Sequence, residues 1–361
     1  MAITRRVSSP SEPGRVRRAA LLGLLAAALF GASTPLSKLL LPSLAPASLA
    51  AILYLGSALA VTAARAARPR RGDARREADL RRSDLPVILG VIAAGGVVGP
   101  LLMLIGLGRI SGVAASLLLN LETPLTMLLA IVVFREHLGR REALASLLIV
   151  VAAAAIGLGR GQLHADGLGV LAIAAACLSW AVDNNLTQRL SLRDPLQVTQ
   201  VKSFGAGACN LGLAFALGQP PPLRILPAAL ALGAVSYGLS LVLNMRALRV
   251  LGAARQAAYF ATAPFAGALL SVAILGDRLG PLELAAAALM GAGVFLLTRE
   301  RHQHVHTHAP LEHDHLHTHD EHHDHAHDGP VDEPHAHPHR HEPLTHEHAH
   351  VSDVHHRHGH D

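Results

Sequence analysis

Glu122 lies two residues before Pro124, inside an apolar stretch long enough to cross a bilayer. A carboxyl group at bilayer depth is costly and marks a functional candidate. A proline in such a helix frees nearby backbone carbonyls for a ligand or a water. Glu122 could therefore hold a cationic solute or carry a coupling proton. The plainer alternative is a protonated or bundle-bonded residue with no part in transport. Asp183, Asn184 and Asn185 form a second polar cluster in an apolar block, one turn after Trp180, whose ring offers a flat face to an aliphatic or aromatic solute or to a packing neighbour. Lys38 stands near the end of the first apolar block, where it could pair with a substrate or reach the headgroups. Asn120, Asn210, Asn244, Tyr237 and Tyr259 read first as bundle hydrogen-bonding groups, and Gly139 and Gly280 as turn residues.

A different chemistry begins at His302. Alternating histidines run through His302, His304, His306 and His308, then His313, His315, His317 and His319, then His322, His323, His325 and His327. Three more clusters follow: His335, His337, His339 and His341; His346, His348 and His350; His355, His356, His358 and His360. Neutral imidazoles bind Zn, Ni, Co or Cu. No spacing imposes one closed tetrahedral site, so exchangeable metals are expected. Acidic residues and five prolines are interspersed and apolar content is low, so residues 299–361 are expected to be disordered.

The elements that must position these groups are membrane helices. Hydrophobic residues make up 51% of the 361 and charged residues 16%, against about 25% in soluble proteins. A span needs roughly 20 apolar residues, and ten such blocks can be placed: 19–40, 44–64, 84–107, 110–134, 142–159, 167–188, 195–218, 224–245, 253–275 and 280–298. The eighth and ninth are the least cleanly separated. The arginine-rich start at residues 1–18 precedes a span and is not followed by a soluble body, so it does not read as a cleaved export signal. Arginines cluster before the first block and after every second one, at Arg65–Arg82, Arg135–Arg141, Arg189–Arg193, Arg246–Arg249 and Arg299–Arg301. By the positive-inside bias both termini are cytoplasmic, in a bacterial-type inner membrane. Such loops account for the basic charge without nucleic acid, and Cys177 and Cys209, both in apolar blocks, suggest no disulfide framework.

The two halves echo each other. Gly112-Val-Ala-Ala, Glu122-Thr-Pro124 and Arg135-Glu-His-Leu-Gly139 return as Gly252-Ala-Ala-Arg, Thr262-Ala-Pro264 and Gly276-Asp-Arg-Leu-Gly280. A weaker echo joins Phe30-Gly-Ala-Ser-Thr-Pro-Leu-Ser-Lys38 to Trp180-Ala-Val-Asp-Asn-Asn-Leu-Thr-Gln188. Five spans per half force the second half to enter from the opposite side, giving two inverted five-helix repeats in an all-α membrane fold. Inverted repeats are a common carrier design, with the substrate near the midplane.

These pieces, above all Phe30-Gly31 with Pro35 and Lys38, Pro124, Pro264 and the Gly276-Asp277-Arg278-Leu279 turn, resemble the drug/metabolite transporter superfamily, specifically its ten-helix EamA-type members. The resemblance implies repeats at 19–159 and 167–298 joined by a 160–166 linker, and export of a small molecule of unspecified class. Arg135 stands where that family usually has a Gly, and the second half lacks the first-helix proline and lysine.

The expected function is secondary export of a small metabolite or amino-acid-like solute, with Glu122, Pro124, Trp180, Asp183, Asn184, Asn185, Lys38 and Pro264 as candidate substrate or coupling residues. The partners are that solute, a coupling proton, divalent metal on the tail and the bilayer, with a homodimer left open and no cofactor required by the core. No histidine falls within a span, since His137 and His164 are in loops, which weighs against the alternative of Zn, Ni or Co export. A metal-sensing membrane protein without flux is a further alternative. Nothing resembles a phosphate loop, a catalytic triad or a channel filter.

Overall fold

The computed structural model describes residues 13–67, 78–134, 139–158, 166–190, 193–298, 302–308, 311–317, 335–341 and 344–350. The N-terminal arginines before residue 13, the arginine loop at 68–77, the turn at 135–138, the 160–166 linker up to residue 165, and the histidines at 319–327 and 355–360 lie outside the described residues.

Ten helical rods form the described core: α1 (Val16–Leu40), α2 (Pro46–Ala66), α3 (Arg82–Leu107), α4 (Gly112–Val133), α5 (Arg140–Leu158), α6 (Gly167–Leu190), α7 (Pro195–Ala216), α8 (Leu223–Leu251), α9 (Arg255–Leu275) and α10 (Pro281–Thr298). Eight are long and apolar enough to cross a membrane. The other two are α10, whose apolar stretch Pro281–Leu297 is shorter, and α7, whose first turns carry Gln197, Thr199, Gln200 and Lys202. Boundaries fall where local chemistry puts them. Ser111, Asp166 and Asp194 accept backbone N–H bonds at the starts of α4, α6 and α7. Gly252, at φ 79°, parts α8 from the turns leading into α9, and so separates the two blocks that were hardest to divide.

The outside of the bundle is apolar, with Leu128, Val132, Leu147, Leu171 and Leu269 more than half exposed, as lipid-facing positions require. Inside, small residues let backbones approach closely. A Cβ on Gly31 of α1 would run into the Ala263 carbonyl of α9, and one on Gly233 of α8 into the Leu53 carbonyl of α2.

The internal echo extends to helix geometry. In α3 a short 3-10 turn is followed by α-helix Leu85–Val91, a π-helical segment Ile92–Val98 and α-helix Gly99–Leu107. In α8 the same order runs through Leu226–Leu232, the π segment Gly233–Leu239 and Ser240–Leu251. Both α4 and α9 are broken at corresponding points, into Gly112–Leu118 and Glu122–Phe134 and into Ala253–Phe260 and Ala263–Leu275. Pro124 and Pro264 each sit in the first turn after the break, where a missing N–H costs nothing. Packing repeats as well: α2 lies against α7, α5 against α10, and α1 meets the last part of α8 as α6 meets the last part of α3.

In the tail the described residues are β1 (His302–His308), β2 (Leu311–His317), β3 (His335–His341) and β4 (Leu344–His350). β1 pairs antiparallel with β4, and β2 with β3.

Candidate functional site

The break in α4 places Glu122 at the start of a new helical segment, where backbone N–H groups favour a carboxylate. From α6, Asn184 Nδ2 donates to Glu122 Oε1 at 2.7 Å and lies 3.3 Å from Thr126 Oγ1. Asn185 Nδ2 donates to the carbonyls of Ala181, at 2.8 Å, and Thr126, at 3.2 Å, tying α6 to α4. Asp183, on the same turn, forms an ion pair with Lys202 of α7 and accepts from Thr187 Oγ1 at 3.3 Å. The Asp183 side chain is 8% exposed and that of Lys202 22%, so the pair is largely withdrawn from solvent.

The π segment of α3 supplies the floor. A π turn widens the helix and turns carbonyls away from their usual partners, and side chains from three other helices take them up. Ser179 Oγ donates to Ala94 O at 2.9 Å, and Asn210 Nδ2 to Gly96 O at 2.9 Å. The Gly95 carbonyl receives Tyr54 Oη at 2.8 Å and Trp180 Nε1 at 3.2 Å. Glycine is required here for space: a Cβ on Gly95 would strike the Asp183 carboxylate, and one on Gly99 would sit 2.7 Å from Trp180 Nε1. Tyr54 also leads to an aromatic wall. Its ring centroid is 5.8 Å from that of Tyr237, which lies 5.7 Å from Phe30, and Phe30 lies 5.3 Å from Phe260. Carboxylates, amides and an ammonium thus gather beside the π segment, and Tyr54 links them to the row of rings.

Trp180, Asp183, Asn184 and Asn185 of the expected residues converge with Glu122, while Pro124 shapes the turn beneath them. Pro264 does the same in α9 at some remove. Lys38 does not join them: its ammonium donates to the carbonyls of Leu107, at 3.0 Å, and Ile110, where the end of α3 leaves acceptors unpaired. Asn120, Asn210 and Asn244 make bundle hydrogen bonds, as expected. Lys202, Tyr54 and Thr126 were missed. For Lys202 the signal was present, because the rule that selects Glu122, a charge within an apolar block, selects it equally. Asp277 also gains a role, capping the start of α4 by accepting from Val113 N at 3.0 Å.

The two ends of the bundle differ. At the end holding Lys38 and Asp277, the Ala263–Leu275 part of α9 packs on the Gly112–Leu118 part of α4. At the other end, among the described residues, Ala253–Phe260 makes no comparable packing with Glu122–Phe134. Thr123 and Asn184 are exposed.

A model of the EamA-like transporter family matches residues 17–158 and again 167–299. This chain belongs to that family. It is therefore a multi-pass membrane transporter and not an enzyme, and the double match agrees with the repeated helix geometry. An uncharacterized transporter from Methanothermobacter thermautotrophicus is 31% identical over 285 residues, covering 74% of this chain and 82% of that protein. A solved crystal structure of a protein 22% identical shares the fold with a TM-score of 0.56, over 78% of this chain and 98% of the other. Among the described residues, no group of three or more His, Cys, Asp or Glu is placed to hold a metal ion.

Proposed function

We propose that this transporter exports a small amphipathic metabolite or amino-acid-like solute by alternating access, with its halves inserted as inverted repeats. The observation that carries the reading is the Asn184–Glu122 hydrogen bond beside the Asp183–Lys202 pair, with the tyrosine–phenylalanine rings reached through Tyr54. With Asp183 neutralised by Lys202, Glu122 is the carboxylate left to meet a solute ammonium or a coupling proton. Trp180 and the tyrosine–phenylalanine wall suit the solute's apolar part.

Both termini lie in the cytoplasm of a bacterial-type inner membrane in this reading, because arginines concentrate at that end of the bundle. In this reading the loosely packed end of α4 and α9 faces the cytoplasm, and the Asp277 cap and the Lys38 contacts lie at the outer end. The histidine-rich tail binds exchangeable Zn, Ni, Co or Cu and regulates flux. Its composition is also what favours a second reading, export of a divalent metal itself, which a core built around carboxylates, amides and one lysine supports less well.

Flux in vesicles of controlled orientation tests the choice, comparing radiolabelled zinc, nickel and cobalt with a panel of amino acids and other metabolites. Saturable metabolite flux without metal flux is expected, and metal should change it only in the full chain, not after truncation at Arg301. Saturable metal flux that survives the truncation would replace solute export with metal export.

A further inference from the structure

The two ends of α4 and α9 are the same piece of structure in two different situations. Gly112 corresponds to Gly252 and Pro124 to Pro264, a spacing of 140 residues in both cases. At the end holding Lys38 and Asp277 the two helices touch closely. A Cβ on Gly112 would stand 2.6 Å from Ser271 Oγ and from Leu275 Cδ1, and one on Gly267 would stand 2.9 Å from Ser116 Oγ. At Gly252, the counterpart of Gly112, nothing among the described residues lies within 4 Å of the same position.

The stripe left without that neighbour can be named. Ala263, Gly267 and Ser271, spaced by four on one face of α9, are all buried. Their counterparts on α4 are Thr123, Met127 and Ile131, of which Thr123 is exposed and the other two partly so. Beside the stripe, Leu128 is 52% exposed where its counterpart Ala268 is 6% exposed. The opposing segments also match in one respect. Ser116 Oγ and Gln256 Oε1 stand at corresponding positions, and both are buried without a hydrogen-bond partner among the described residues. Each segment therefore carries polar capacity that its present neighbours leave unused.

We infer that the Ala253–Phe260 segment of α9 is the partner of this stripe, and covers it when the path is closed at that end, bringing position 256 against Met127 and position 252 against Ile131. This rests on the reading of alternating access by inverted repeats and gives it a specific contact. Small residues meet small ones at the end already in contact, whereas here Gly252 and Ala257 would take up the larger Met127, Leu128 and Ile131. Glu122, one residue before the stripe, is then shut off from that end as the two segments meet.

The test uses the full chain in oriented membrane vesicles, with Cys177 and Cys209 replaced by Ala and a cysteine pair introduced. The pair is Met127→Cys/Gln256→Cys or, as a control, Val133→Cys/Gln256→Cys; Val133 and its counterpart Ala273 are both exposed. Packed helices lie about 8–10 Å apart, a distance that a bismaleimide with a two-carbon bridge spans. The 127–256 pair should cross-link at least about tenfold faster than the 133–256 pair, and complete cross-linking should lower flux of a radiolabelled amino-acid panel at least about tenfold. Equal or slower cross-linking of the 127–256 pair, in vesicles that carry flux, would overturn this contact and leave alternating access standing. Complete 127–256 cross-linking with flux unchanged would overturn alternating access itself.

Discussion

The region where α3, α4, α6 and α7 meet and its counterpart at α8, α9, α1 and α2 are built from corresponding segments, yet only the first sets carboxylates and an ammonium beside its π segment. Where the first has Trp180, Asp183 and Asn184, the second has Phe30, Ser33 and Thr34; where the first has Glu122, the second has Thr262. Gly95 and Gly96 of the α3 π segment, and Gly99 just after it, correspond to Ser236, Tyr237 and Ser240 of α8. The glycines leave room that Asp183 and Trp180 fill, whereas in α8 the side chains fill it themselves. The comparison teaches that the two halves share the bend and the break, while the missing side chains at Gly95 and Gly99 leave the space that Asp183 and Trp180 take. Tyr54 joins the two, its hydroxyl on the Gly95 carbonyl and its ring beside Tyr237.

Making the charged cleft resemble its counterpart should therefore break it in graded steps. Lys202→Met leaves Asp183 buried and unpaired, and it should cost about 2–4 kcal/mol in thermal unfolding of the detergent-solubilised protein. Asp183→Leu added to it should restore most of that loss; no recovery would mean the lysine acts through packing. Gly99→Ser, which copies Ser240, drives a side chain into Trp180 and should cost about 1–3 kcal/mol by the same assay. Trp180→Phe, which copies Phe30, keeps a flat ring and gives up the Gly95 hydrogen bond, worth about 1 kcal/mol. A larger loss would show that the indole shape matters beyond its N–H.

The smallest effect lies outside the membrane. Arg109 donates to Asp166 at 2.7 Å and holds its carboxyl below the usual 3.8, aided by the bond from Leu168 N. A depressed folded-state value stabilises at neutral pH and is lost as the pH falls through it. Asp166→Asn should thus shift the thermal midpoint only slightly at neutral pH and low salt, less in high salt, with the difference from the parent vanishing in strong acid. A difference that grows with acid would reverse this assignment.

Much of this was legible in the residues. Ten blocks of apolar sequence became ten rods, because bilayer thickness leaves helix length little freedom. The cluster of Glu122 with Asp183, Asn184 and Asn185 was also legible, since ionisable and amide groups are scarce in spans. The π segments were not, because a run such as Ala93-Ala-Gly-Gly96 suits an ordinary close-packed helix as well as a widened one. Nor was the placement of Lys38, whose long chain lets it reach a helix end, the headgroups or a cleft from one backbone position.

The most direct test of the charged cleft compares solute flux in oriented vesicles for Glu122→Gln and for Thr262→Val, the corresponding change in the other half. Truncating a charge partner of this kind typically removes about 2–5 kcal/mol of binding. Glu122→Gln should therefore lower flux by about 100-fold, while Thr262→Val leaves it within a few-fold of the parent and both variants insert and fold. Equal flux through both would contradict a substrate or coupling site at Glu122 and return that carboxyl to the packing of the bundle.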